Sequence, residues 1–77
     1  MSTNLVLEND DIFCGDTFVM TVDRFDTIDI TVKEGRLYIN NTFVKEFADS
    51  ETASGAIEEL ISSLKTESLD YDIYIAA

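Results

Sequence analysis

From Thr17 to Asp23, Phe18, Met20 and Val22 alternate with Val19, Thr21 and Asp23, the period of two that a strand with one inner face requires. The stretch from Thr27 to Lys33 alternates more cleanly, with Ile28, Ile30 and Val32 on one face and Thr27, Asp29, Thr31 and Lys33 on the other. Arg24-Phe25-Asp26 predicts a short loop between them. Pairing Val22 with Ile28 then sets Met20 opposite Ile30 and Phe18 opposite Val32, so the two apolar faces coincide. Parity carries the sheet further. With Glu34-Gly35 as a two-residue turn, Val32 pairs with Leu37 and Ile30 with Ile39. Asn tolerates positive φ, so Asn40-Asn41 suits a type I′ turn, which pairs Ile39 with Thr42 and Leu37 with Val44. Residues 17–47 read as a four-stranded antiparallel meander.

Asp49 and Ser50 both suit a helix N-cap, and Glu51 falls in the first turn, where the helix dipole favours a carboxylate. Ala53, Ala56, Ile57, Leu60, Ile61 and Leu64 then recur at helical spacing and form one apolar stripe, closed by Lys65. Gly55 weakens this helix by about 1 kcal/mol relative to Ala. The last strand, Leu69 to Ile75, turns Leu69, Tyr71, Ile73 and Ile75 inward and Asp70, Asp72 and Tyr74 outward. Leu5-Val6-Leu7 and Ile12-Phe13-Cys14 are candidate short strands, one of which is expected to pair with the last. The predicted fold is α+β: an antiparallel sheet, made of the meander plus the C-terminal strand, with one α-helix packed on one face.

Composition sharpens this picture. A chain of 77 residues holds one domain, and a hydrophobic content of 45% is enough to fold it. No apolar run approaches the roughly 18 residues of a membrane span, and the opening MSTNLVLENDD is neither basic nor long and apolar. The expectation is a soluble, unsecreted, cytoplasmic protein with Cys14 reduced and buried. The net charge is −11, from 16 Asp and Glu against 5 Lys and Arg. Such a field repels nucleic acid and anionic lipid and attracts basic surfaces, so neither direct nucleic-acid binding nor membrane binding is expected.

The absence of histidine removes the commonest general base and metal ligand, and with it Ser-His and Cys-His catalysis. Glu8, Asp10, Asp11 and Asp16 around Gly15 invite comparison with a calcium loop. In the register that starts at Asp10, however, Ile12 and Cys14 occupy ligand positions and Thr21 stands where a glutamate is required. That stretch reads as an acidic solvated loop, and no metal or cofactor is expected. Cys14 lies beside Asp16 with no basic neighbour, which argues for a structural thiol. Some of the carboxylates must lie close together, but nothing in their spacing marks a catalytic pair, so the chain reads as a non-enzyme.

The sheet face opposite the helix is more informative. By the pairings above it carries Thr21, Asp23, Asp29, Thr31 and Asn40 together with Val19, Tyr38, Phe43 and Phe47. Aromatics on a face turned to water are explained by a covering N-terminal segment, by a register slip at the last hairpin, or by a contact surface with aromatic anchors inside an acidic rim. Asp70 and Asp72 lie about 7 Å apart on one side of their strand, near the spacing of successive phosphates. With Asp23, Asp29 and the helix pair Glu58 and Glu59, they would form rows of charge that imitate a nucleic-acid backbone. Asp23, Asp29, Tyr38, Phe43, Phe47, Glu58, Glu59, Asp70 and Asp72 are therefore the candidate partner-binding residues.

One local pattern adds to this. A β-hairpin ending in FVKEF, a polar DSETAS connection and a short helix IEELISSLK with acidic residues on its exposed side span residues 36–65. In a small, acidic, histidine-free chain this resembles the phage anti-CRISPR proteins that occupy the DNA-binding surface of a Cas nuclease. The resemblance implies a non-catalytic, phage-encoded inhibitor acting in the host bacterial cytoplasm, whose partner is a basic nucleic-acid-binding protein such as a Cas effector. The alternative from a different class is a self-associating structural or accessory protein that buries Tyr38, Phe43 and Phe47 in a homodimer. A monomer and a homodimer are both compatible with the sequence.

Overall fold

Two separate sheets take the place of the expected single one in the computed structural model, which describes residues 4–76. Strands β1 (Leu5–Glu8), β2 (Asp11–Cys14) and β3 (Thr17–Thr21) form an antiparallel meander. Strands β4 (Ile28–Lys33), β5 (Arg36–Ile39), β6 (Thr42–Glu46) and β7 (Tyr71–Ala76) form the second sheet, in the order β6-β5-β4-β7. Helices α1 (Ser50–Ala56) and α2 (Glu58–Thr66) connect β6 to β7. The class is α+β, as expected. Met1, Ser2 and Thr3 of the opening stretch lie outside the described residues.

One apolar cluster joins both sheets. It takes Leu5 and Ile12 from the first, Ile28, Ile30, Val32, Leu37 and Ile39 from the second, and Ala53, Ala56, Ile57, Leu60 and Leu64 from the helical segment. At about 1.5–3 kcal/mol for each fully buried Leu, Ile or Val, this shared core is what holds the layers together. Helix α1 lies against β4, β5 and β7, whereas α2 packs on β1. Among the described residues no helix is long and apolar enough to cross a membrane.

The two turns read from local chemistry form as expected. Glu34, Gly35, Asn40 and Asn41 all have positive φ, and Val32 faces Leu37, Ile30 faces Ile39 and Ile39 faces Thr42. The Asn40 Oδ1 accepts the Asp29 N–H at 2.9 Å, while the Asn40 N–H donates to the Asp29 carbonyl at 2.8 Å, which fastens the turn to β4.

Strand pairing, the helix and Cys14 differ from expectation in four ways. First, β3 stops at Thr21 and pairs with β2, so Val22 does not pair with Ile28 and the second sheet's meander has three strands. Asn9 and Gly15, both at positive φ, make tight turns at the two ends of β2, and such short loops close at lower entropic cost than longer ones. Second, neither N-terminal strand pairs with the last one. β7 runs parallel to β4, from Ile28 opposite Tyr71 to Lys33 opposite Ala76. A parallel neighbour needs a long crossover, and the β5–β6 hairpin with both helices supplies it. Third, the helix is broken at Ile57, whose φ of −101° and ψ of 1° leave the helical range. Gly55 weakens the end of α1, and Glu58 and Glu59 occupy the first turn of α2, where the dipole favours them. Fourth, Cys14 is half-buried against the core instead of fully enclosed.

A register shift in each sheet reverses the parity on which the face assignments rested. Between β2 and β3, Phe13 faces Phe18 but Ile12 faces Met20, so Val19 is the extra residue. Phe18, expected inside, is 54% exposed and meets Phe13 edge-on at 5.9 Å, while Val19 packs against the core. Between β5 and β6, Tyr38 faces Phe43 but Leu37 faces Lys45 instead of Val44. Phe47, expected on the outer face, is thereby turned into the core, where its N–H donates to the Gly35 carbonyl at 2.8 Å.

Candidate partner-binding face

Burial alternates along β4, with Ile28, Ile30 and Val32 facing the core and Asp29 and Lys33 exposed on the other side. In-register pairing extends this outer face across the sheet. Asp72 lies beside Asp29, and Tyr74 beside Thr31, which faces Tyr38 and through it Phe43. Tyr38 and Phe43 meet edge-on with ring centroids 5.7 Å apart. Tyr74 is 64% exposed and Phe43 53%, so an aromatic band crosses the sheet at mid-height. A shallow open depression of about 220 Å³ lies between Asp29, Asn41, Asp72 and Tyr74.

Charge on this face is graded along the strands. At the end where β4 and β7 begin, Asp29 and Asp72 occupy adjacent in-register positions, about 5 Å apart between strands. Asp70 extends the group by one strand repeat, and its carbonyl accepts the Ile28 N–H at 2.9 Å. Like charges placed side by side across strands are destabilising. The opposite end carries Lys33 and Arg36, and the Arg36 Nε lies 3.8 Å from the Glu46 Oε2. The outer face therefore runs from acidic through aromatic to mixed charge.

Asp29, Tyr38, Phe43, Asp70 and Asp72 are thus brought together. Asp23 sits instead in the β3–β4 link, where its Oδ1 accepts the Phe25 N–H at 2.9 Å and its carbonyl accepts the Asp26 N–H at 3.1 Å. Glu58 and Glu59 are exposed on α2, in the helical layer on the other side of the second sheet. Phe47 is in the core and leaves the group. The helix pair and the strand carboxylates accordingly form two separate acidic surfaces.

Three exposed aromatics were not among the candidates, and one of them is Phe18, which the shift in β3 turns outward. Tyr74 has the right parity and was readable from the alternation of DYDIYI. Phe25 is 92% exposed at the tip of the β3–β4 link, and the only sequence signal is an aromatic set among Asp23, Arg24 and Asp26. The link is anchored by its neighbour. The Arg24 Nε donates to the Asp10 Oδ1 at 2.6 Å, and its terminal nitrogen donates to the Glu67 Oε1 at 3.2 Å. These bonds, with Asp10 the larger influence, raise the guanidinium pKa further above its ordinary value.

No group of three or more His, Cys, Asp or Glu side chains suited to a metal ion occurs among the described residues. Comparison with protein-family models, with curated proteins and with solved structures finds nothing that matches this chain.

Proposed function

We propose that this protein is a non-catalytic inhibitor of the anti-CRISPR kind, which acts in the bacterial cytoplasm by covering the basic nucleic-acid-binding surface of a Cas effector. The observation that supports this reading best is the group Asp29, Asp70 and Asp72 beside the exposed ring of Tyr74, in a chain of net charge −11. Carboxylates at this spacing match a row of phosphates, so a cleft lined with Lys and Arg would accept them in place of DNA. The aromatic band would supply the apolar contact that a purely electrostatic encounter lacks. Inhibition is then steric and needs no turnover.

The homodimer alternative loses one of its three anchors, because Phe47 is buried. The test is affinity capture from a bacterial lysate containing CRISPR effectors, with the native chain and with the double variant Asp29→Lys, Asp72→Lys. Only the backbone groups of Asp29 bond to Asn40, so the reversal spares the β4 anchor. The expected result is a basic nucleic-acid-binding protein that is released by salt or competing DNA, with binding weakened at least about tenfold by the double variant. Equal capture by the reversed protein would overturn the reading.

A further inference from the structure

Among the described residues, the outer edge of β7 is the best-formed unpartnered strand edge. β7 ends the sheet order, and no described strand lies beyond it. The β1 edge is only four residues long, and α2 packs on that strand. The β3 and β6 edges each carry a register shift, and β6 also presents Lys45 and Glu46, devices that blunt an edge against pairing. β7 has no shift against β4 and contains neither lysine nor proline, while Ile73 is 38% exposed, Tyr74 64% and Ile75 49%.

The backbone bonds fix which residues address that edge. The Ile28 N–H donates to the Asp70 carbonyl at 2.9 Å and the Glu34 N–H to the Ala76 carbonyl at 3.4 Å, so even-numbered residues turn their peptide groups toward β4. By alternation, the N–H and C=O of Tyr71, Ile73 and Ile75 point outward. In antiparallel pairing the residues that exchange bonds must be these three, and facing residues must share a side of the sheet. A twofold axis through Ile73 satisfies both conditions. It sets Ile73 against Ile73 and Tyr71 against Ile75, with about six inter-chain hydrogen bonds. The same register places Asp72 opposite Tyr74 and Asp70 opposite Ala76, so no carboxylate directly faces another. An axis through Asp72 would oppose two carboxylates, and one through Tyr74 would give fewer bonds.

We infer that β7 pairs antiparallel with β7 of a second copy of this chain about a twofold axis at Ile73, joining two four-stranded sheets into one of eight. An interface of one strand from each copy falls at the small end of specific interfaces, below about 1,200 Å² in total, so the dimer is weak and concentration-dependent. Each copy carries −11, and the two Asp72 side chains are diagonal neighbours, so added salt tightens the dimer. Binding to a basic partner responds to salt in the opposite direction, and the dimer stands independently of the inhibitor reading.

Sedimentation equilibrium on the full chain at about 0.05 M and about 0.5 M NaCl, together with residue-resolved amide exchange at low and high protein concentration, tests the pairing. The expected result is a dimer that tightens with salt, with the Tyr71, Ile73 and Ile75 amides slowing as concentration rises. Ile73→Pro removes a donor that points away from β4, and Ile73→Glu sets two carboxylates face to face at the axis. Each variant should weaken association at least about tenfold while keeping the native circular dichroism. A monomer at about 1 mM in high salt overturns the proposal. So does a dimer that leaves those three amides unprotected, as one through Tyr38 and Phe43 would, or an association constant that neither variant changes.

Discussion

Gly35 has φ of +80°, and a Cβ placed there would lie 2.6 Å from the Phe47 carbonyl oxygen, a backbone atom that cannot move without shifting the start of the helical segment. Gly35→Ala is therefore expected to cost about 1–3 kcal/mol, from the left-handed conformation together with the clash. Gly55 is the opposite case: it is helical and exposed, and a Cβ there meets nothing within 4 Å. Gly55→Ala should stabilise by about 0.4–1 kcal/mol, and urea unfolding of both variants reads the two signs. A sequence shows both glycines without showing which is constrained. The same holds for Phe18 and Phe47, which exchange surface and core because one extra residue in β3 and one in β6 invert the parity beyond them. Nothing in TFVMT or TFVKE marks Val19 or Val44 as extra, because bulge positions are set by how each strand must bend to reach the shared core.

At the scale of elements, what was legible depended on distance along the chain. Both two-residue turns, the β4–β5–β6 meander and the apolar stripe of the helical segment were readable, since each rests on residues a few positions apart. The partner of β3 and the parallel course of β7 were not, because a period of two is satisfied by any neighbour with a matching face. The candidate site followed the same rule. Asp29, Tyr38 and Phe43 came together through local hairpins, whereas Asp72 reached Asp29 through a parallel pairing that no local pattern specifies. The cap of α1 was legible and carries a prediction. The Asp49 carboxylate accepts the Thr52 N–H at 2.7 Å, and this bond holds its pKa below the ordinary value. A depressed carboxylate stabilises the fold above its unfolded pKa of about 3.9, and that contribution is lost as pH falls through the folded value. Asp49→Ala should thus lower Tm by a few degrees at neutral pH, with the gap to the native protein closing as pH drops below about 4.

For the whole molecule, salt separates three effects that share one cause. Most of the surplus of 11 carboxylates is exposed, and Arg24, one of only five cations, is committed to Asp10 and Glu67. Self-repulsion in the compact state exceeds that in the expanded chain, so screening stabilises the fold. Raising NaCl from about 0.02 M to about 0.5 M should increase Tm, by roughly 4–8 °C for each kcal/mol of repulsion removed, as read by circular dichroism melts. The Arg24 ion pairs oppose this trend, but they are exposed and few, and exposed pairs contribute little. Urea in place of NaCl would only unfold the chain, and an uncharged osmolyte such as sucrose would stabilise without screening. A rise with NaCl that sucrose at equal osmolality reproduces would therefore show that excluded volume, not charge, is responsible. If charge is responsible, the same salt should tighten the β7 pairing inferred above and weaken the proposed binding of a basic partner at Asp29, Asp70 and Asp72. The acidic surface would then favour a partner at low ionic strength and a second copy at high.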